Sequence, residues 1–99
     1  MHEDEIVEVG IDDQERLYVR PRATCFDFIY REAMEIHWDA ERKVLFAPKP
    51  REWTYLQWFN QIIAAAAGGE HRTRLRLTPT TAWSKVPETL RSAVSKAGG

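Results

Sequence analysis

The sequence has one cysteine, Cys25, and no long apolar run. One cysteine cannot form an internal disulfide, so the sequence excludes a disulfide-rich secreted scaffold and fits a reducing compartment. No stretch approaches the ~20 apolar residues that a membrane span needs. Residues 1–5 are acidic and do not resemble a signal peptide. We therefore expect a cytoplasmic protein that has no membrane partner.

The sequence also lacks the motifs that carry most known chemistry. It contains no G-x-G-x-x-G or P-loop pattern, no HExxH pair, and no sign of a base beside Cys25. Glu35, His37 and Asp39 alternate along one predicted strand, but side chains at that spacing converge poorly on a metal ion. The sequence predicts no catalytic residue, no metal site and no cofactor, and we expect that the protein is not an enzyme.

The apolar residues that are present are sufficient for one packed domain. Of the 99 residues, 43% are hydrophobic and 11% are aromatic. A chain of this length buries roughly two-thirds of the surface that its unfolded form exposes. We predict a single domain over residues 1–99, in which residues 1–4 form a disordered acidic tail and residues 97–99 a frayed C-terminus.

Hydrophobic periodicity and turn residues predict an α+β fold with the element order ββαββαβα. The sheet is expected to be antiparallel or mixed, with the helices mainly on one face. Val7, Val9 and Ile11 should share one face of the first strand. Segment 24–34 fits a strand as well as a helix, and we predict a helix because Thr24 and Asp27 resemble a helix cap. The predicted bounds are 5–11, 16–22, 24–34, 54–68 and 71–78. Between 34 and 54 we predict a hairpin with a polar turn at 39–43, whose strands carry Ile36 and Trp38 opposite Val44 and Phe46. The last helix should begin at Pro87.

The helix over 54–68 has the clearest signals. Thr54 and Gln57 fit a capping box, Trp53 and Trp58 fit a hydrophobic staple, and Gly68-Gly69 should end the helix in a left-handed conformation. No residue between Trp53 and Gly69 is charged. The apolar arc is wider than one packing face requires, which predicts either a central core helix or an interface with a second copy or another protein. The candidate interface residues are Tyr55, Trp58, Phe59, Ile62 and Ala65, and the burial of Trp58 separates the two interpretations.

Charge is distributed unevenly although the formal net charge is only −1. Residues 1–15 hold seven of the fifteen acidic side chains and no lysine or arginine, so all 14 basic residues lie in the rest of the chain. Two strands present basic faces that could bind an anion or nucleic acid. Ion pairing with the acidic first strand is the other interpretation. The residues of these two faces are Arg72, Arg74, Arg76, Tyr18, Arg20 and Arg22.

The segment FDFIYREAMEIHWDAERKVLFAPKPREWTYLQWF, residues 26–59, contains the strand IHWD, the exit LFAPKP and the helix entry WTYLQWF. In these features the chain resembles small bacterial proteins encoded by the mobile gene cassettes of integrons. The resemblance implies a cytoplasmic accessory protein and transfers no functional residue. We therefore expect a non-enzymatic interaction protein that acts as a homodimer or on a protein partner, with anion or nucleic-acid binding as the alternative. A small-ligand site lined by aromatic residues is a third hypothesis.

Overall fold

A six-stranded mixed sheet and two α-helices make up the fold in the computed structural model, which describes residues 2–68 and 71–98. The α+β prediction is thus confirmed, and the element order broadly matches the predicted one. The strands are β1 (His2–Ile11), β2 (Leu17–Pro21), β3 (His37–Asp39), β4 (Val44–Phe46), β5 (Thr73–Arg76) and β6 (Ala82–Ser84). The helices are α1 (Tyr55–Ala67) and α2 (Glu88–Gly98).

Strand β1 is the centre of the sheet, whose order is β3-β4-β2-β1-β5. It pairs with β2 in an antiparallel manner, and its opposite edge is shared by two parallel partners. Strand β5 pairs with residues 2–5 of β1, and β6 pairs with residues 8–10. Strand β6 was not predicted, because three residues are too few to produce a clear alternation.

Two predicted chain ends differ from the structure. Residues 2–4 belong to β1 and are not a disordered tail, because β5 offers them a parallel partner. Helix α2 continues to Gly98, whereas the prediction has the chain fraying from residue 97. Residues 1 and 99 lie outside the described part of the chain.

A β-bulge changes the faces of β1. Ile6 pairs with Pro21 and Glu8 pairs with Arg20, so Val7 is an extra residue between the two pairs. The alternation therefore shifts by one residue. Ile6 and Val9 are buried while Val7 is 40% exposed, so the prediction that Val7 and Val9 share a face was wrong.

Segment 24–34 forms a loop whose only helical part in the structure is a 3-10 turn at Ile29–Arg31. The predicted helix does not form because the start of the segment is bound elsewhere. The carboxylate of Asp4 accepts the backbone N–H groups of Ala23 and Thr24 at 3.0 and 2.9 Å. Phe26 and Ile29 are then fully buried in the core.

Helix α1 begins as predicted. The backbone N–H of Gln57 donates to the hydroxyl of Thr54 at 3.2 Å, and the N–H of Thr54 donates to the amide oxygen of Gln57 at 2.8 Å. The rings of Trp53 and Trp58 pack with their centroids 4.7 Å apart, which forms the hydrophobic staple. Gly68 caps the other end in an extended conformation and not in the predicted left-handed one. Gly69 lies outside the described residues.

The core lies between the sheet and the two helices. Helix α1 packs against β5, β2 and α2, which places its apolar face over the centre of the sheet. The fully buried side chains of this layer include Ile6, Val9, Leu17, Val19, Leu45, Ile62 and Val94. No helix in the described chain is both long enough and apolar enough to cross a membrane.

Candidate binding cleft

The predicted interface residues of α1 lie mostly inside the chain. Trp58 is 8% exposed, and Phe59, Ile62 and Ala65 are also buried. Tyr55 is half-buried, and its hydroxyl donates to the backbone carbonyl of Glu15 at 2.9 Å. Packing within one chain therefore accounts for most of the wide apolar arc, as the central-helix interpretation predicts.

One exposed apolar surface lies at the N-terminal end of α1; the other large apolar side chains exposed in the described chain are Val7, Phe28 and Tyr30. Trp53 precedes the N-cap and packs against the ring of Trp58. Its side chain is still 41% exposed. Met34 lies in the loop before β3 and is 87% exposed. Both side chains border the same concave surface, which we call the aromatic cleft.

The aromatic cleft has a volume of about 690 Å³. This size falls within the roughly 300–1,000 Å³ of typical ligand pockets. Three segments form it: the loop before β3, the loop between β4 and α1, and the first turns of α1. Its lining consists of Ala33, Met34, Glu35, Pro48, Lys49, Arg51, Glu52, Trp53, Trp58 and Gln61.

The charges at the rim of the cleft are only partly paired. Lys49 forms an ion pair with Glu15, with Nζ and Oε2 2.6 Å apart. The hydrogen bond from Lys49 to Glu15 and the charge of Glu15 raise the pKa of Lys49. Within residues 2–68 and 71–98, by contrast, Glu35, Arg51 and Glu52 form no ion pair. The cleft thus offers two free carboxylates and one free guanidinium.

Trp58, which lines the cleft, also carries a buried polar group that has no partner in the described chain. Its indole N–H is buried and has no hydrogen-bond partner in the part of the chain that the structure describes. Burying such a donor without an acceptor costs on the order of 1–3 kcal/mol.

The two basic faces of the sheet lie on either side of the acidic strand β1. Arg20 and Tyr18 on β2 both donate to the carboxylate of Glu8, and Arg22 donates to Glu5. On the other side, β5 places Arg74 opposite Glu3 and Arg76 opposite Glu5. Tyr18, Arg20, Arg22, Arg74 and Arg76 thus each contact or lie opposite an acidic residue of β1, as the ion-pairing interpretation predicts.

The alternating residues Glu35, His37 and Asp39 have separate surroundings. Asp39 accepts the backbone N–H groups of Glu41 and Arg42 in the β3–β4 turn, and the ring of His37 packs on Phe46. In the described chain, no three His, Cys, Asp or Glu side chains lie close enough to hold a metal ion.

Of the residues that line the cleft, only Trp58 was predicted as a site residue from the sequence. A useful signal was present in Trp53, because the outer ring of a hydrophobic staple precedes the helix and stays near solvent. Met34 has the charged residues Glu32 and Glu35 close to it in the run REAMEIH, which gave a second signal. The contact between the segments that hold Met34 and Trp53 depends on the tertiary fold and could not be predicted from the sequence.

Comparison with known proteins places this chain among integron cassette proteins. Residues 4–81 match the family model described as Integron Cassette Protein Hfx_Cass5. A solved structure of Integron Cassette Protein Hfx_Cass5, from the mobile metagenome of North West Arm Sewage Outfall, is 41% identical in sequence. The match covers 99% of this chain and 97% of the other, with a TM-score of 0.50. No curated protein matches the chain.

Proposed function

Because this chain belongs to the Hfx_Cass5 family of integron cassette proteins, we propose that it is a non-enzymatic accessory protein that binds a protein partner through the aromatic cleft. The observation that carries this proposal is the exposure of Trp53 and Met34 at the border of a 690 Å³ cleft. Aromatic and methionine side chains are enriched at the centres of protein interfaces.

The shape of the cleft favours a different protein over a second copy of this chain. A two-fold dimer brings the same patch of each subunit against itself. Two concave surfaces that face each other leave a void between them, whereas a protruding segment of another protein fills the cleft. We therefore expect a monomer in isolation.

The proposal includes a cytoplasmic location. Cys25 is exposed and unpaired, and an exposed free thiol is compatible with a reducing compartment. The runner-up function, binding of an anion or nucleic acid, finds less support because β1 supplies acidic partners to most of the arginines concerned.

The proposal can be tested with a library of short synthetic peptides of known sequence and the purified protein. Some peptides should bind and change the tryptophan fluorescence, and Trp53→Ser and Met34→Ser should each abolish that binding. Tyr30→Ser is the matched control, because Tyr30 is exposed but does not line the cleft.

Two results would overturn the proposal. One is a library without any binding peptide. The other is that the binding peptides bind Trp53→Ser and Met34→Ser as tightly as they bind Tyr30→Ser. Light scattering after size exclusion addresses the partner: a dimer that Met34→Ser dissociates would show that a second copy occupies the cleft.

A further inference from the structure

The walls of the aromatic cleft combine two indole rings with unpaired carboxylates. Trp53 and Trp58 lie 4.7 Å apart with their planes inclined at 46°. Glu35 and Glu52 line the same cleft. We propose that the cleft receives a cationic side chain, preferably the guanidinium of an arginine, from a basic segment of the protein partner. This inference rests on the proposed function and specifies its chemistry.

Electrostatics favours a cation in the cleft. The charge of Lys49 is compensated by Glu15, which does not line the cleft. Of the other three charged lining residues, two are acidic and one is basic, and none of them has an ion pair in the described chain. The rim is therefore acidic in balance, and an incoming cation would complete the pairing of Glu35 and Glu52.

The indole rings favour the same kind of ligand. Tryptophan has the most favourable ring face for a cation, and the attraction increases when water is excluded. Trp58 is buried and Trp53 is about half-exposed, so a side chain that enters between Trp53 and Met34 loses part of its hydration. The thioether of Met34 can cover the apolar stem of the entering side chain.

The rest of the molecule already uses this contact repeatedly. Four arginines of the chain stand over aromatic rings at 4.6 to 5.2 Å from the ring centroid. The partner rings are those of Phe46, Phe28, Tyr18 and Trp83. No cation from residues 2–68 or 71–98 stands over Trp53 or Trp58 in this way. The cleft therefore holds one indole ring, that of Trp53, with surface available to a partner, while Trp58 behind it is only 8% exposed.

Arginine should bind better than lysine. A guanidinium is planar, stacks on an indole face and can form two parallel hydrogen bonds to one carboxylate, whereas an ammonium acts as a compact and strongly hydrated charge. Arg51 opposes the ligand because it carries the same charge. Removing the charge of Arg51 should therefore strengthen binding, whereas removing the charge of its neighbour Glu52 should weaken it.

The experiment uses the peptide acetyl-GGRGG-amide and its citrulline counterpart, which has nearly the same shape and no charge. Tryptophan fluorescence and the NMR signals of the indole N–H groups report binding. The arginine peptide should bind at least about fivefold more tightly than the citrulline peptide. Glu52→Gln and Glu35→Gln should each weaken its binding about two- to fivefold, and Arg51→Gln should strengthen it by a similar factor. Trp53→Leu should abolish it.

The outcomes separate this inference from the proposed function. Equal binding of both peptides, or binding that the three charge variants leave unchanged, would overturn cation recognition. If library peptides without a basic residue still bind and their binding still requires Trp53, the proposed function is supported and cation recognition is not. If no peptide of either kind binds, both proposals fail. Glu88→Gln serves as the charge control, since Glu88 lies in the first turn of α2 and outside the cleft.

Discussion

The hydroxyl of Tyr18 donates a hydrogen bond to the carboxylate of Glu8 at 2.6 Å, across the β1–β2 pair. Burial and this hydrogen bond raise the pKa of Tyr18. The same carboxylate accepts a hydrogen bond from Arg20, so one acidic side chain joins two residues of the neighbouring strand. The bulge at Val7 makes this possible, because it turns Glu8 to the outer face of the sheet.

Gly10→Ala should destabilise the protein through Tyr18. A methyl group at position 10 would lie 2.3 Å from two atoms of the Tyr18 side chain, whose ring is buried. The ring must then move and strain its bond to Glu8, at a cost of about 1–3 kcal/mol in the free energy of unfolding. Urea denaturation of the variant and the wild type measures this loss of unfolding free energy. In a Tyr18→Ala background the same substitution should cost much less, and an equal cost in both backgrounds would contradict this explanation.

Asp4 should make the free energy of unfolding depend on pH. Burial alone would raise the pKa of Asp4, but backbone N–H donors of Ala23, Thr24 and Glu5 outweigh it and hold the pKa below its ordinary value of 3.8. Because the folded-state pKa is the lower one, the stabilisation is complete above pH 3.8 and is lost as the pH falls through the folded value. The free energy of unfolding of the wild type should therefore decrease on acidification in this range.

Asp4→Asn provides the comparison. The amide cannot accept at both oxygen positions, so this variant should lose about 1–3 kcal/mol at neutral pH. It should also show a shallower decrease in unfolding free energy between about pH 5 and pH 2, because one titrating group is gone. Parallel pH profiles for the two proteins would show that the Asp4 contacts with the 23–24 backbone do not control acid stability.

Ile62→Ala tests whether the apolar face of α1 is core or interface. Ile62 is fully buried within the single chain, so its truncation should lower the unfolding free energy by about 2–5 kcal/mol. The midpoint of thermal unfolding should be the same at protein concentrations that differ tenfold, for the variant and the wild type alike. A midpoint that rises with concentration would instead indicate that folding is coupled to assembly.

Glu5→Gln should expose basic charge. Glu5 lies between Arg22, whose Nη1 is 3.2 Å from it, and Arg76, its opposite residue on β5. Its neutralisation removes the ion-pair partner of Arg22 and the acidic residue opposite Arg76, so the variant should elute from a heparin column at higher salt than the wild type. Glu88→Gln changes the net charge equally at a position remote from the sheet arginines. Equal elution shifts for the two variants would contradict local compensation.

The sequence was sufficient where local chemistry decides the structure. The Thr54–Gln57 box and the Trp53–Trp58 staple involve residues three to five positions apart, and each pair forms the predicted contact. Strand β5 was also predictable, because Thr73 and Leu75 are buried while Arg74 and Arg76 between and after them are exposed.

The sequence did not predict the structure where contacts between residues far apart in the chain determine it. The loop over 24–34 has helix-forming residues, but Asp4, twenty positions from Thr24, binds its start. The bulge at Val7 depends on how β1 meets β2, β5 and β6 together. The aromatic cleft combines loops that are separated by the β3–β4 hairpin, so only Trp58 of its lining was predicted as a site residue.

The central position of β1 also has a kinetic consequence. The hydroxyl of Thr81 donates to the carbonyl of Ile6 at 2.7 Å, across a sequence separation of 75 residues. The β1–β2 and β3–β4 hairpins and α1 can form from near neighbours, but one edge of β1 stays open until β5 and β6 dock on it. Because closing so large a loop costs chain entropy before any pairing is gained, this docking should limit the folding rate. The chain should consequently fold more slowly than a helical bundle of equal length.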